Sequence, residues 1–326
     1  MATKSVIEAV REALHEEMSR DERVLILGED VEQGGVFRAT EGLLNQFGPD
    51  RVLDTPLAES AIVGVAIGAA LNGFRPVAEI QFADFIYPAV DQIISEAARL
   101  RYRSAGAFTC PLVIRAPYGA GVHGALYHSQ SVEALFCHVP GLKVVTPATP
   151  YDAKGLLKAA IRDQDPVLFF EHKKAYRLIK GEVPEGDYVV PIGRAEVKRP
   201  GDHVTLIAYG LMLHHCLQAA EVVAEDGLSV EVIDLRTLSP LDKETILDSV
   251  RKTGKVLIVH EDNLTGGLGG EVAAIIAAEA FDYLDAPVTR LASPDVPAMP
   301  YSPPLEEYCL PNPDKIAAAL RKLAAH

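Results

Sequence analysis

"RVLDTPLAESAIVGVAIGAALNGFRPVAEIQF", residues 51 to 82, decides the fold. It passes from a strand end broken at Pro56, through small apolar residues at 59 to 72 that suit a helix, into a buried strand at 75 to 82. Strand, helix and strand in so short a span make a parallel crossover unit. Glu59 is the only charge between Asp54 and Arg75, and it opens the helix.

The same rhythm extends in both directions. "VLILGEDV" (24 to 31), "PLVIRAP" (111 to 117), "LKVVTPAT" (142 to 149) and "PVLFFEH" (166 to 172) read as strands, with helices at 84 to 103 and 151 to 162. Residues 180 to 202 interrupt it with Pro, Gly and charge, as an exposed connection does. A second alternation comes after it, with strands in "HVTLIAYG", "LSVEVIDLRTL", "KVLIVHED" and "PVTRLAS". Helices lie near 211 to 225, 242 to 253 and 269 to 282, and a last one comes after Asn312. The expected fold is therefore α/β, in two open domains with parallel or mixed sheets: residues 1–185, a linker at 186–202, and residues 203–326.

Composition narrows the function. The chain has 326 residues, 48% of them hydrophobic, and a net charge of -14, which repels nucleic-acid phosphates and suits an acidic surface. Cys110, Cys137, Cys216 and Cys309 are scattered without metal or redox spacing, as expected of a reduced cytoplasmic protein. The opening "MATKSVIEAVREALHEEMSRD" repeats apolar residues at helical spacing and carries acids, so it reads as a surface helix. The longest apolar run, 61 to 71, is too short to span a bilayer.

In open parallel sheets ligands bind beyond the carboxyl ends of the strands, which directs attention to four places. Glu59 is either a carboxylate favoured by the helix dipole, or a carboxyl in apolar surroundings able to share a proton with a ligand nitrogen. The loop "APYGAGVHGALYHSQS" (116 to 131) sets His123 and His128 among glycines, as a simple turn or as a mobile functional loop. In "EIQFADFIYPAVDQ" (79 to 92), Gln81, Phe82, Phe85 and Tyr87 are either core or a surface for stacking a heteroaromatic ring. "TGGLGGEV" (265 to 272) comes after a strand and opens a helix as phosphate loops do, but Val272 occupies the third glycine position of the dinucleotide fingerprint. A nicotinamide-dependent oxidoreductase is the function of a different class that this loop would imply.

Several motifs in series carry a resemblance. "LGEDV", "DTPLAESAIVGVAIGAA", "EIQFADFIYPAVDQI", "RYRS", "HGALYHSQSVEA", "PGLKVV", "TPYDAKGLLKAAIRDQDPVLFFEHKKAYR", "VIDLRT" and "KTGK" resemble the beta subunit of the decarboxylating component of 2-oxo acid dehydrogenase complexes. The likeness runs from about residue 4 to the C-terminal helix. It implies a thiamin pyrimidine-binding domain followed by a transketolase C-terminal-like domain, and thiamin diphosphate as cofactor. In that family the glutamate matching Glu59 bonds the aminopyrimidine, Leu57 and Gln81 match its neighbours, Phe85 matches the aromatic that stacks on it, and His128 matches the histidine implicated in acyl transfer to lipoyl-lysine.

The resemblance also implies what lies elsewhere. Thiamin enzymes hold magnesium and diphosphate with "GDG" and a downstream Asn, and this sequence has no "GDG"; Gly201-Asp202-His203 comes nearest. Magnesium and the diphosphate are thus expected on an alpha subunit, in a heterotetramer of two alpha and two beta chains, with a lipoyl-bearing acyltransferase core as second partner. A potassium ion known in some members maps to Leu112, Val113, Ala160, Asp163 and Asp165, where an ordinary turn is the other reading. "HGALYHSQS", "FFEHKKAYRLIKGEVP" and "VIDLRTLSPLD" resemble the branched-chain members, while Phe85 stands where many of those carry Tyr. The implied reaction is thiamin-dependent decarboxylation of 3-methyl-2-oxobutanoate and related acids, with pyruvate or acetoin dehydrogenase as the alternatives.

Overall fold

The computed structural model describes every residue from Met1 to His326, and they separate into two compact units. One comprises Met1–Tyr118 with Leu135–Ile192; the other comprises Gly119–Ala134 with Gly193–His326. The sheets of both are predominantly parallel, as the alternation of strands and helices requires.

In the first unit six parallel strands run in the order Lys143–Val145, Val167–His172, Val113–Tyr118, Arg75–Glu79, Val24–Gly28 and Val52–Asp54. Continuous burial along the middle strands explains why they read as unbroken apolar runs. The helices Val6–Arg20 and Pro150–Arg162 close one face, with Val10, Leu14, Met18, Leu156, Leu157 and Ile161 in a single core. Ser5 and Glu8 form a reciprocal capping box that starts the first helix.

Residues 84 to 103 do not form the single helix that their pattern suggests. Pro88 has no N–H to continue one, and the segment breaks into 3-10 turns at Ala83–Phe85 and Tyr87–Ala89. A π-helical stretch, Gln92–Ala97, and a short helix, Leu100–Arg103, complete the segment. The break leaves Ile80 to Phe85 lying at the end of the sheet.

The connector does not hang free. Asp187 pairs with Lys158 and Arg162 at 2.6 Å each, and these two cations hold its carboxyl well below the usual range. Tyr188 stacks on Tyr151 at 4.8 Å between ring centroids, and Val190 is buried. A Cβ on Gly155 would stand 2.5 Å from Val190 and 2.9 Å from Tyr188, so the glycine is what lets this stretch lie flat. Further on, Glu196–Arg199 becomes an antiparallel edge strand of the second sheet. That sheet runs Thr289–Ser293, Val256–Asn263, Val204–Ala208, Val230–Asp234, Glu196–Arg199.

Within the first unit, Arg115 is buried between two carboxylates on neighbouring strands. Its guanidinium donates to Glu171 at 2.8 and 2.6 Å and to Glu79 at 2.6 Å, and Tyr176 donates its hydroxyl to Glu171. Burial opposes the Arg115 charge, but Glu171 and Glu79 outweigh it, so the guanidinium stays protonated. Arg115→Ala would leave two buried carboxylates without a cation, and is expected to lower stability by about 3–5 kcal/mol. The shift of the urea midpoint measures it.

Candidate functional site

The register of the first sheet aligns its carboxyl ends, with Gly28 opposite both Asp54 and Glu79. The segments that leave these strand ends therefore meet at one edge. Glu29 and Asp30 come from the first, Thr55 and Glu59 from the second, Gln81 and Phe85 from the third. Gln81 donates its amide N–H to Asp30 Oδ2 at 3.1 Å, and Asp30 has a left-handed φ of 58° where it opens the 3-10 turn Val31–Gln33. Phe85 is half-buried and meets Phe82 edge-on, with 5.5 Å between ring centroids. Phe82 in turn packs against Phe37 and lies under the Lys173 ammonium. Leu57 is 79% exposed.

Glu59 sits in the first turn of the helix Glu59–Leu71, only 7% exposed. The helix dipole favours its charge, so the bland reading holds as far as it goes. It leaves the burial unexplained, because Glu29 and Glu59 are the two buried acids that make no hydrogen bond or ion pair within the chain. Burial, the Glu59 charge and Asp30 raise the Glu29 carboxyl above its ordinary value. The Thr55 hydroxyl, on the same edge, is also buried without a partner. Two unpaired carboxyls and an unpaired hydroxyl at the end of a parallel sheet fit a polar, nitrogen-bearing ligand ring.

The outward face of this helix carries Ala61, Gly64, Val65 and Gly68. A Cβ on Gly68 would touch nothing, and one on Gly64 would reach only Gln92 at 3.9 Å. Nothing inside the chain demands glycine at either position.

The histidine loop belongs to the second unit, although in sequence it lies within the first domain. Ala120 N–H donates to Glu261, and Gly121 N–H donates to Glu306 at 2.9 Å. His123 is tied to Glu306 through its ring at 2.6 Å, whereas His128 ends a one-turn helix, Ala125–His128. The two histidines thus have different surroundings. Below the loop, Glu133 accepts the Tyr209 hydroxyl at 2.8 Å. Burial and then Asp262 push the Glu133 carboxyl well above its ordinary value; burial lifts Asp262 to about 6.

"TGGLGG" has a structural explanation. Cβ atoms on Gly267 and Gly269 would stand 2.5 and 2.6 Å from the buried His260 ring, so these glycines make room for an imidazole. At the positions assigned to potassium, Lys143 holds the Asp163 carboxylate at 2.6 Å and Arg101 holds Asp165 at 2.6 Å. The Leu112 carbonyl accepts from Val167 N–H, and the Ala160 carbonyl from Asp163 N–H. Val113 begins its strand. A cation there would be left with main-chain oxygens.

Sequence reasoning missed Glu29, Glu261 and Glu306. An acid directly after a strand, as in "LGED", marks the first. Nothing in "PPLEEY" distinguishes Glu306, because its role depends on contacts across more than a hundred residues.

Residues 2–179 match the transketolase pyrimidine-binding domain, and residues 193–316 match the transketolase C-terminal domain. Over 325 residues and 99% of both chains, the sequence is 65% identical to the 2-oxoisovalerate dehydrogenase subunit beta of Bacillus subtilis strain 168. It is 51% identical over 324 residues, again 99% of both, to the pyruvate dehydrogenase E1 component subunit beta of the same organism. A solved structure described as a split gene transketolase, inactive beta4 tetramer, superposes with a TM-score of 0.81 over 98% of each chain at 27% identity.

Burial holds the His260 imidazole neutral, with its proton affinity lowered to about 4. The folded chain then binds fewer protons at this site than the unfolded one between pH 6.5 and 4. Stability from this site is full above pH 6.5 and is lost as pH falls through 4, by on the order of 3 kcal/mol. The raised Asp262 works in the opposite sense, its contribution disappearing as pH rises through about 6. Comparing His260→Gln with the parent isolates the histidine: the acid side of its urea-midpoint profile is expected to be flatter.

Proposed function

The chain belongs to the transketolase-like thiamin diphosphate family, among the beta subunits of 2-oxo acid dehydrogenases, and from that membership we propose that it serves a branched-chain 2-oxo acid dehydrogenase. The observation that carries the reading is Glu59, a buried carboxyl with no partner in its own chain, within a sequence 65% identical to a 2-oxoisovalerate dehydrogenase beta subunit. The pyruvate dehydrogenase relative stands at 51%. The packing of Gly267 and Gly269 against His260 removes the reason to read "TGGLGG" as a nicotinamide site.

When bound, thiamin diphosphate supplies an acidic carbon that adds to the carbonyl of a 2-oxo acid and stores the electron pair released with carbon dioxide. This chain's residues act on protons and position. Glu59 holds a proton against a nitrogen of the aminopyrimidine. Gln81, fixed by Asp30, borders the ring; Leu57 and Phe85 supply its apolar contacts. His128 holds a proton during transfer of the acyl group to lipoyl-lysine. Magnesium and the diphosphate are assigned to the alpha subunit, in a heterotetramer of two alpha and two beta chains acting in the cytoplasm. A lipoyl-bearing acyltransferase core receives the acyl group. Potassium, where present, takes the carbonyls around Leu112, Val113 and Ala160, with Asp163 and Asp165 retained by their cations.

Co-expression with the alpha subunit and a substrate panel test this. We expect kcat/KM for 3-methyl-2-oxobutanoate to exceed that for pyruvate by about tenfold or more, the scale on which a pocket separates aliphatic groups. A preference for pyruvate would overturn the branched-chain assignment. Glu59→Gln, which cannot exchange a proton, is expected to reduce decarboxylation by about 10²–10⁴-fold while the complex still assembles.

A further inference from the structure

We propose that Glu306 is a positioning residue: it fixes the loop that carries His128 and thereby sets the acyl-transfer step, without touching the reacting groups. The inference rests on the role of His128 in acyl transfer, and it concerns a residue far away in sequence.

Glu306 lies on the short helix Pro303–Cys309 and is 2% exposed. Oε1 accepts the N–H groups of Gly121 at 2.9 Å and His123 at 3.3 Å. Oε2 stands 2.6 Å from His123 Nδ1. A carboxylate so buried is costly unless its oxygens are satisfied, and here the loop satisfies them. Glu306 and the loop therefore hold each other in place.

The loop needs an external hold. Gly119, Gly121, His123 and Ala125 all have left-handed φ angles, 88°, 79°, 57° and 54°. For the two that are not glycine this conformation costs on the order of 1–3 kcal/mol each, and it persists only where the surroundings impose it. Glu306 and Glu261 supply that imposition through Gly121, His123 and Ala120.

The hold reaches His128 in one step. Gly124, next to the clamped His123, packs so closely that a Cβ on it would lie 2.6 Å from His128 Cβ and 2.8 Å from the His128 carbonyl oxygen. Gly124 N–H donates to Ser129 Oγ at 3.0 Å. The Gln130 amide closes the turn by donating to the Ala125 and Leu126 carbonyls at 3.2 and 3.1 Å. A shift at His123 is thus transmitted through Gly124 to the histidine itself.

Acyl transfer is the step most exposed to such a shift. A C–S bond forms between the acyl carbon and one lipoyl sulfur as the S–S bond breaks, and the bond from the acyl carbon to its donor carbon then breaks with its electron pair returning to the donor; the acyl group is thereby oxidised by two electrons, which the disulfide gains. The donor's hydroxyl proton leaves as its carbonyl reforms, and the second sulfur takes up a proton, which His128 holds in position. Decarboxylation precedes this exchange and involves no lipoyl sulfur.

The test uses the chain assembled with its alpha subunit and compares the parent with Glu306→Ala, Glu306→Gln and His123→Ala. Decarboxylation of 3-methyl-2-oxobutanoate is read with ferricyanide as oxidant, and acylation by the mass of a lipoylated domain. Glu306→Ala is expected to slow acylation about tenfold or more, the scale expected when a reacting group is misplaced, while ferricyanide-linked turnover stays within about threefold. Glu306→Gln should recover much of the loss, since its carbonyl oxygen still accepts from Gly121 and His123; His123→Ala should add nothing on the Glu306→Ala background. A parallel fall in both half-reactions, or no change in either, overturns the proposal. Hydrogen exchange over residues 119 to 130 provides an arm that needs no turnover. Faster exchange there in Glu306→Ala than in the parent, with Glu306→Gln in between, supports the clamp, and unchanged exchange in Glu306→Ala overturns it. A parent complex that decarboxylates no 2-oxo acid would sink the functional reading instead, with the exchange arm still deciding on the clamp.

Discussion

One guanidinium holds the carboxyl ends of three adjacent strands together. Arg115 on Val113–Tyr118 bonds Glu79 on one neighbour and Glu171 on the other, within a fully buried layer. A buried ion pair is weak evidence of net stability, since apolar side chains of similar volume often do as well. Direction is what it adds here, because the planar fork meets its carboxylates from only two sides. Ile80 to Phe85 begins directly after Glu79, and Lys173 to Tyr176 comes shortly after Glu171, so the aromatic border of the Glu59 edge starts from positions that the fork fixes. Even the first loop is shaped by it: a Cβ on Gly35 would lie 2.6 Å from Glu79 Oε1.

Buried acids serve two ends in this chain. Glu261 and Glu306 accept main-chain N–H groups of a loop, while Glu17 and Glu171 face arginines. Each is satisfied where it lies. Glu29 and Glu59 differ in kind, being buried, close enough to raise one of the two, and bonded to nothing. Carboxyls with no protein partner at the end of a parallel sheet suit a ligand that supplies one.

Much of this was legible because it is local. Period and punctuation delivered the strands and helices around Glu59, and the motif series drew attention to Gln81 and Phe85, which follow the neighbouring strand. The rest was hidden for two reasons. The pattern at 84 to 103 is helical apart from Pro88, whose missing N–H interrupts the start of the segment, while the π-helical stretch beyond it has no local signal. The connector is largely exposed, as its Pro, Gly and acids suggest, but the sequence does not show that Asp187 finds two cations or that Gly155 leaves room for Val190. The attachment of 119–134 to the second unit depends on Glu261 and Glu306, acids whose own surroundings in sequence are unremarkable. Long-range pairing of this sort has no periodic signature.

The glycines of the Glu59 helix point beyond the single chain. Glycine within a helix costs about 1 kcal/mol relative to alanine. Gly64 and Gly68 incur that cost on an outward face where a methyl group would fit without a clash. Val65, 62% exposed, and Leu57, 79% exposed, add apolar area to the same surroundings. Within the single chain these choices weaken the helix that presents Glu59 and bring no packing in return. They become economical only when a second backbone lies against the helix, where absent side chains permit close approach and the exposed apolar groups are covered. The proposed division of the cofactor between two subunits would supply such a second backbone beside the helix that presents Glu59.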